Sequence, residues 1–202
     1  GKTEGAQMTD LKLQNVWFSY EDRTVLENVS LTFPAGRTTV LMGPSGIGKT
    51  TVFRLISGLE KPQRGQVTGI PEDGAGVLFQ EDRLFPQFSI LENIAVCAPE
   101  RTEEEILRML TVLGLQEEAG RYPAELSGGM RRRAALIRAL AVSRQLYLLD
   151  EPFNGLDAET KKRTARWIRE ILRGKTAVII THQIEDAEAL DGEILQLEEK
   201  GR

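Results

Sequence analysis

Apolar residues change their spacing several times along this chain, and each change predicts an element. Leu11, Leu13, Val16, Phe18 and Tyr20 mark an apolar-rich extended stretch. NVSLTF, Asn28 to Phe33, then alternates with period two. Pro34-Ala35-Gly36 is a turn signal, and TTVLM, Thr38 to Met42, follows it as a buried strand. A glycine-rich loop comes next. The spacing predicts a helix from Thr50 to Ser57, closed by Gly58. AGVLFQ, Ala75 to Gln80, is a further short strand.

The middle of the chain has a different rhythm. Thr102 and Glu105 have capping-box spacing. Ile106, Met109, Leu110 and Leu113 follow at helical intervals, and Gly114 ends the run. A helical insertion from Arg83 to about Ala124 is therefore expected. The alternating pattern then resumes. Residues 131–141 read as helix, Leu146 to Asp150 as strand and 158–172 as helix. Thr176 to Thr181 is a strand, 184–190 a short helix, and Glu193 to Leu197 a last strand. Strands alternating with helices imply an α/β fold whose mostly parallel sheet is covered on both faces.

Bulk properties narrow the picture. At 202 residues the chain is long enough for one domain with a small subdomain. A net charge of −4 gives no general attraction to nucleic acid, and no such partner is expected. The single cysteine, Cys97, excludes an intrachain disulfide and fits a reducing compartment. No apolar run approaches the ~18–20 residues that span a bilayer. The opening GKTEGAQ is polar, so Met8 is a candidate start and residues 1–7 an appended or flexible N-terminus.

GPSGIGKT, Gly43 to Thr50, matches G-x-x-x-x-G-K-[ST] between a strand and a helix. Gly43, Pro44, Ser45, Gly46, Ile47 and Gly48 form the loop, and Thr51 continues it into the helix. Glycines let backbone N–H groups wrap closely around phosphate oxygens, aided by the helix dipole. Lys49 supplies charge for the β- and γ-phosphates, and the Thr50 hydroxyl suits Mg²⁺.

LYLLDEP, Leu146 to Pro152, delivers two acids at a strand's carboxyl end. Side chains alternate along extended backbone, so Asp150 and Glu151 are not expected to play the same part. Asp150 is assigned to the magnesium shell, and Glu151 to polarising a water for attack on the γ-phosphate. His182, the single histidine, follows a buried strand at the end where parallel sheets bind ligands. Its imidazole could bond the γ-phosphate and sense its loss. Gln80 stands at another strand terminus, either reaching Mg²⁺ or the attacking water or simply solvated in a loop. Tyr20 is either an edge-strand aromatic or a stacking platform for adenine.

A second anion-binding element lies far downstream, at Ser127-Gly128-Gly129 before an arginine-rich helix. It carries no catalytic group of its own. Arg131, Arg132 and Arg133 read as a solvated helix face that adds to the anion-friendly helix start.

The order of Tyr20, GPSGIGKT, Gln80, LSGGM, LYLLDE, NGLD and His182 resembles the nucleotide-binding subunit of ATP-binding-cassette (ABC) transporters. The likeness runs from about Leu11 to Leu197, and LSGG is its specific element. It implies a single domain over 8–202: a P-loop core, an antiparallel β subdomain and a helical subdomain at about 83–140. It also implies ATP and Mg²⁺ as ligands and two copies packed head to tail. Ser127, Gly128 and Gly129 of one copy would close over the γ-phosphate held by the other, and Asp157 would touch the facing site. By the same likeness Glu151 is the base, His182 a switch residue, Gln80 a coupling residue and Tyr20 the adenine platform. The family's signature usually continues with Gln where this chain has Met130, and Asn154-Gly155 replaces the commoner Ser-Ala.

Phe79 to Val96 is similar to importers of nitrate, sulfonate or taurine. This implies a peripheral protein on the cytoplasmic face of the cell membrane, with permease subunits and an extracytoplasmic solute-binding protein as partners. Arg83, Leu84 and Phe85 would face the permease. A soluble cassette ATPase without a transport role is the alternative. A regulator that binds nucleotide without hydrolysis is opposed by the intact Lys49, Asp150, Glu151 and His182.

Overall fold

The computed structural model describes residues 9–198. The expected start at Met8 lies outside these residues. Two sheets organise the chain. The first is antiparallel, built from β1 (Leu11–Tyr20), β2 (Arg23–Phe33) and β4 (Arg64–Thr68) in the order β2-β1-β4. The second contains β3 (Thr38–Met42), β5 (Ala75–Leu78), β6 (Leu146–Asp150), β7 (Thr176–Ile180) and β8 (Glu193–Gln196) in the order β5-β6-β7-β3-β8. Every pairing in this second sheet is parallel.

The central strands β6 and β7 are buried at every position because both faces of the sheet are covered. On one face, Leu41, Leu146, Leu148, Val178 and Ile180 pack with the antiparallel sheet and with α1 (Lys49–Ile56). On the other, Val40, Met42, Tyr147, Leu149, Ala177 and Ile179 pack with four helices. These are α2 (Ile90–Ala95), α3 (Glu103–Val112), α4 (Gly128–Ala141) and α5 (Ala158–Leu172). A short α6 (Ile184–Ala189) precedes β8.

Helix starts follow local chemistry. Thr102 and Glu105 form the expected capping box on α3, and Ser89 and Glu92 form another on α2. Asp157 caps α5 by accepting from the backbone N–H groups of Glu159 and Thr160.

Four local expectations need correction. β4 is a strand where no pattern predicts one, since RGQVT carries one apolar residue and forms by pairing with β1. β2 begins at Arg23, five residues before the alternation, because the Tyr20–Arg23 hairpin carries the ladder outward. β5 stops at Leu78, where its pairing to Leu149 ends, so Gln80 lies two residues beyond the strand. α4 starts at Gly128 because the Ser127 hydroxyl accepts from the Met130 N–H and caps it there.

Candidate active site

The loop after β3 wraps back under the N-terminus of α1. Gly48 caps that helix at φ 113°, and a Cβ there would lie 2.7 Å from Leu26 Cδ2. Gly43 is equally constrained, since a Cβ would meet the Leu197 carbonyl oxygen at 2.6 Å. Only glycine lets the loop pass between β2 and β8. Lys49 bends over the loop and donates to the carbonyls of Gly43 at 2.6 Å and Pro44 at 2.8 Å. Burial lowers its pKa, while Glu151 and Asp150 hold it up.

A cavity of about 600 Å³ lies over this loop at the carboxyl ends of the central strands. Ser45, Gly46 and Gly48 line it from the loop, Lys49, Thr50 and Thr51 from the start of α1, Asp150 from the end of β6, Glu151 from just beyond it, and His182 from beyond β7. Gln80 and Tyr20 complete the set expected from the sequence. Gly43, Pro44 and Ile47 support the loop from outside the lining.

Asp150 and Glu151 line the same cavity although they are adjacent at the end of an extended strand. The reason is backbone conformation. β6 ends at Asp150, and Glu151 turns into the left-handed region at φ 47° while its N–H donates to the Ile180 carbonyl. A non-glycine residue held there costs about 1–3 kcal/mol, and such strain clusters at active sites. The turn delivers Glu151 Oε1 to within 2.5 Å of His182 Nδ1. Burial raises the Glu151 carboxyl, His182 draws it down, and Asp186 pushes it up again. Asp150 is pushed up to about 6 by burial and by Glu151, against the pull of Arg132 and Lys49.

Behind the histidine, buried Asp186 accepts from the Thr181 hydroxyl at 2.6 Å and pairs with Lys161 of α5. The exposed His182 ring thus stands on a fixed strand end.

Thr50, Asp150 and Gln80 offer hydroxyl, carboxylate and amide oxygens to one space, the hard donor set that suits Mg²⁺. Among the described residues no three His, Cys, Asp or Glu side chains converge as a metal cage. A Mg²⁺ carried on substrate phosphates fits this donor set.

The arginine run departs from its expected role. Arg132 is turned inward, its side chain 11% exposed, and it bonds the carbonyls of Phe79, Gln80 and Asp150. Arg131 donates to the Leu126 carbonyl and Arg133 to that of Leu113. These guanidiniums satisfy chain-end carbonyls that the loops around α4 leave unpaired, so the run is internal scaffolding rather than a solvated face. Asn154 of NGLD also lines the cavity, as do Arg23, Val25 and Arg132, which no motif assigns to it.

Ser127, Gly128 and Gly129 are exposed and take no part in lining this cavity. They present the N-terminus of a 14-residue helix to solvent instead.

A glycine loop, a strand-end acid pair and a facing histidine on a parallel sheet define a P-loop nucleotide-binding protein. The comparisons narrow the class. A family model described as ABC transporter matches residues 26–154. The chain is 36% identical over 200 residues to the aliphatic sulfonates import ATP-binding protein SsuB 1 of Rhodococcus jostii, covering 96% of this chain and 81% of that one. It is 38% identical over 200 residues to the sulfate/thiosulfate import ATP-binding protein CysA of Synechocystis sp., covering 91% of this chain and 56% of that one. The chain therefore spans little more than half of the sulfate relative. A dimeric post-hydrolysis structure of the ATP-binding cassette MJ0796, bound to ADP and Pi, superposes with a TM-score of 0.80 at 29% identity, covering 93% of this chain and 94% of that one. The chain belongs to the ABC transporter family, as an ATP-binding cassette.

Proposed function

We propose that the chain hydrolyses ATP and powers an importer of small solutes, working as a head-to-tail pair beneath permease subunits. The observation that carries this reading is the 2.5 Å approach of Glu151 to His182 above the phosphate loop. A carboxylate raised by burial and steadied by an imidazole is suited to take a proton from water.

In this reading the N–H groups of Gly46 to Thr51 cradle the β- and γ-phosphates, and Lys49 leaves the Gly43 and Pro44 carbonyls to bond them. Mg²⁺, held by Thr50, Asp150 and Gln80, would supply charge neutralisation at the phosphate oxygens. Tyr20, 39% exposed at the cavity edge, offers its ring to adenine. Glu151 Oε accepts the proton of a water aligned with the γ-phosphorus, and ADP leaves on the opposite side. The Nε2 of His182 has no protein partner among the described residues, which suits it to a γ-phosphate oxygen.

Ser127, Gly128 and Gly129 lie outside their own cavity, so their helix terminus is suited to a second copy's γ-phosphate. No helix among the described residues is long and apolar enough to cross a membrane. In this reading the chain docks at the cytoplasmic face on permease subunits, which an extracytoplasmic solute-binding protein feeds. Exposed Phe85, with Leu84 and Arg83 beside it, supports a permease contact on that loop. The sulfonate and sulfate relatives favour a small sulfur oxyanion or sulfonate as the solute.

The test is Glu151→Gln. It should retain ATP binding, lose about 10²–10⁴ in phosphate release, and accumulate an ATP-bound dimer in size-exclusion chromatography. Turnover at the wild-type rate would refute the base assignment.

A further inference from the structure

The loop from Phe79 to Arg83 is held by two arginines of α4. Arg132 Nη1 donates to the Phe79 carbonyl and, at 3.1 Å, to that of Gln80, and lies 3.5 Å from Asp82 Oδ1. Its Nη2 donates to the Asp150 carbonyl. Arg138 donates to the carbonyls of Arg83 at 2.8 Å and Asp82 at 2.9 Å, and lies over the Phe85 ring at 5.6 Å. Both anchor the loop, but only Arg132 also grips β6.

The geometry of that grip matters. A guanidinium is planar and always charged, and its two terminal nitrogens are fixed relative to one another. One end holds the loop that bears Gln80, and the other holds the backbone of Asp150. Moving Gln80 away from Asp150 therefore breaks a charge-assisted bond at one end or the other. With its side chain 11% exposed, little water is on hand to replace that bond. Arg132 also lies five residues from Ser127 on the same helix, so displacement of the Ser127–Gly129 terminus reaches both groups through one side chain.

We propose that Arg132 is a positioning residue that sets Gln80 against Asp150 and couples both to the exposed N-terminus of α4. This rests on the ATPase reading above. Arg132 acts through the oxygen donors around the phosphates rather than on substrate itself. A lysine has no fork and can serve only one end of the grip, and a glutamine lacks the charge for Asp82.

The test compares Arg132→Lys and Arg132→Gln with Arg138→Lys in the purified chain. Phosphate release and nucleotide affinity are measured, together with amide hydrogen exchange without nucleotide. Both Arg132 variants should lose about ten- to a hundredfold in kcat while KM for ATP moves less than about threefold. Arg138→Lys should loosen residues 82–85 and hold kcat within about threefold of wild type. Exchange should quicken at residues 79–82 and at 150–151 in the Arg132 variants, and at 82–85 alone in Arg138→Lys. Unchanged kcat in both Arg132 variants overturns the proposal, as does an equal loss in Arg138→Lys. A wild-type chain that releases no phosphate refutes the ATPase reading instead, and the exchange pattern then decides the Arg132 link by itself.

Discussion

His182 Nδ1 lies 2.5 Å from Glu151 Oε1, with the imidazole 73% exposed and the carboxylate 21% exposed. The ring is thus the solvent-side wall of the carboxylate's pocket. His182→Ala removes that wall and the hydrogen bond that orients Glu151. Phosphate release should fall by about 10²–10³-fold, with nucleotide affinity changed by less than about threefold. A parallel fall in affinity would make His182 chiefly a binding residue.

Lys49 donates to the Gly43 and Pro44 carbonyls. Its removal should cost the loop little and the nucleotide much. Wild-type protein should gain thermal stability as ATP is added, by about 2.7 kcal/mol at a hundred times Kd. Lys49→Ala should melt near the nucleotide-free wild type and show almost no ATP-dependent rise. Differential scanning fluorimetry across an ATP series checks both statements.

Much of this site was legible in the sequence because its parts are contiguous. GPSGIGKT carries its own glycines, lysine and hydroxyl, and LYLLDE announces a buried strand ending in acids. What escaped depends on contacts remote in sequence. Arg132 looked solvated because its run has no apolar periodicity, yet its acceptors lie 53, 52 and 18 residues away. The turn that brings Glu151 beside Asp150 has no pattern to announce it, because alternation holds only while the backbone stays extended, and φ at Glu151 is 47°. β4 was invisible for a related reason: pairing with β1, rather than its own side chains, makes it a strand.

Tyr147 tests the packing beneath the site. Its ring is buried under β6, and its hydroxyl donates to the Val142 carbonyl at 2.7 Å and accepts from the Arg144 N–H at 3.2 Å. Tyr147→Phe leaves the Val142 carbonyl and the Arg144 N–H without that partner at constant ring volume. Chemical denaturation should show a loss of about 1–3 kcal/mol with an unchanged m value.

Acid stability should track the helix caps. The Asp157 carboxyl sits below its ordinary value, chiefly through the Thr160 hydroxyl and then the Thr160 N–H. Glu92 and Glu105 are lowered in the same way by the backbone N–H groups of Ser89 and Thr102. A lowered folded-state pKa contributes stability above the unfolded value and loses it as pH falls through the folded one. The thermal midpoint should therefore stay flat from these caps down to about pH 5 and decline below about pH 4. Asp157→Asn keeps an Ncap acceptor without the titrating charge. It should flatten part of that acid decline while leaving the neutral-pH midpoint nearly unchanged.

Ser127 stands outside the cavity of its own chain, and this gives the head-to-tail reading a sharp consequence. If the α4 terminus completes a second copy's site, Ser127→Arg should abolish turnover without touching the chain's own phosphate loop. Lys49→Ala should abolish it while leaving the terminus intact. Each variant alone then has two broken composite sites. A mixed dimer places both defects in one site and leaves the other whole. Random pairing of equal amounts makes about half the dimers mixed, so about a quarter of wild-type turnover should return if each site works independently. Phosphate release measured before and after mixing, at concentrations where the wild type is active, decides the matter. Full turnover by Ser127→Arg alone would show that each cavity is complete without a partner.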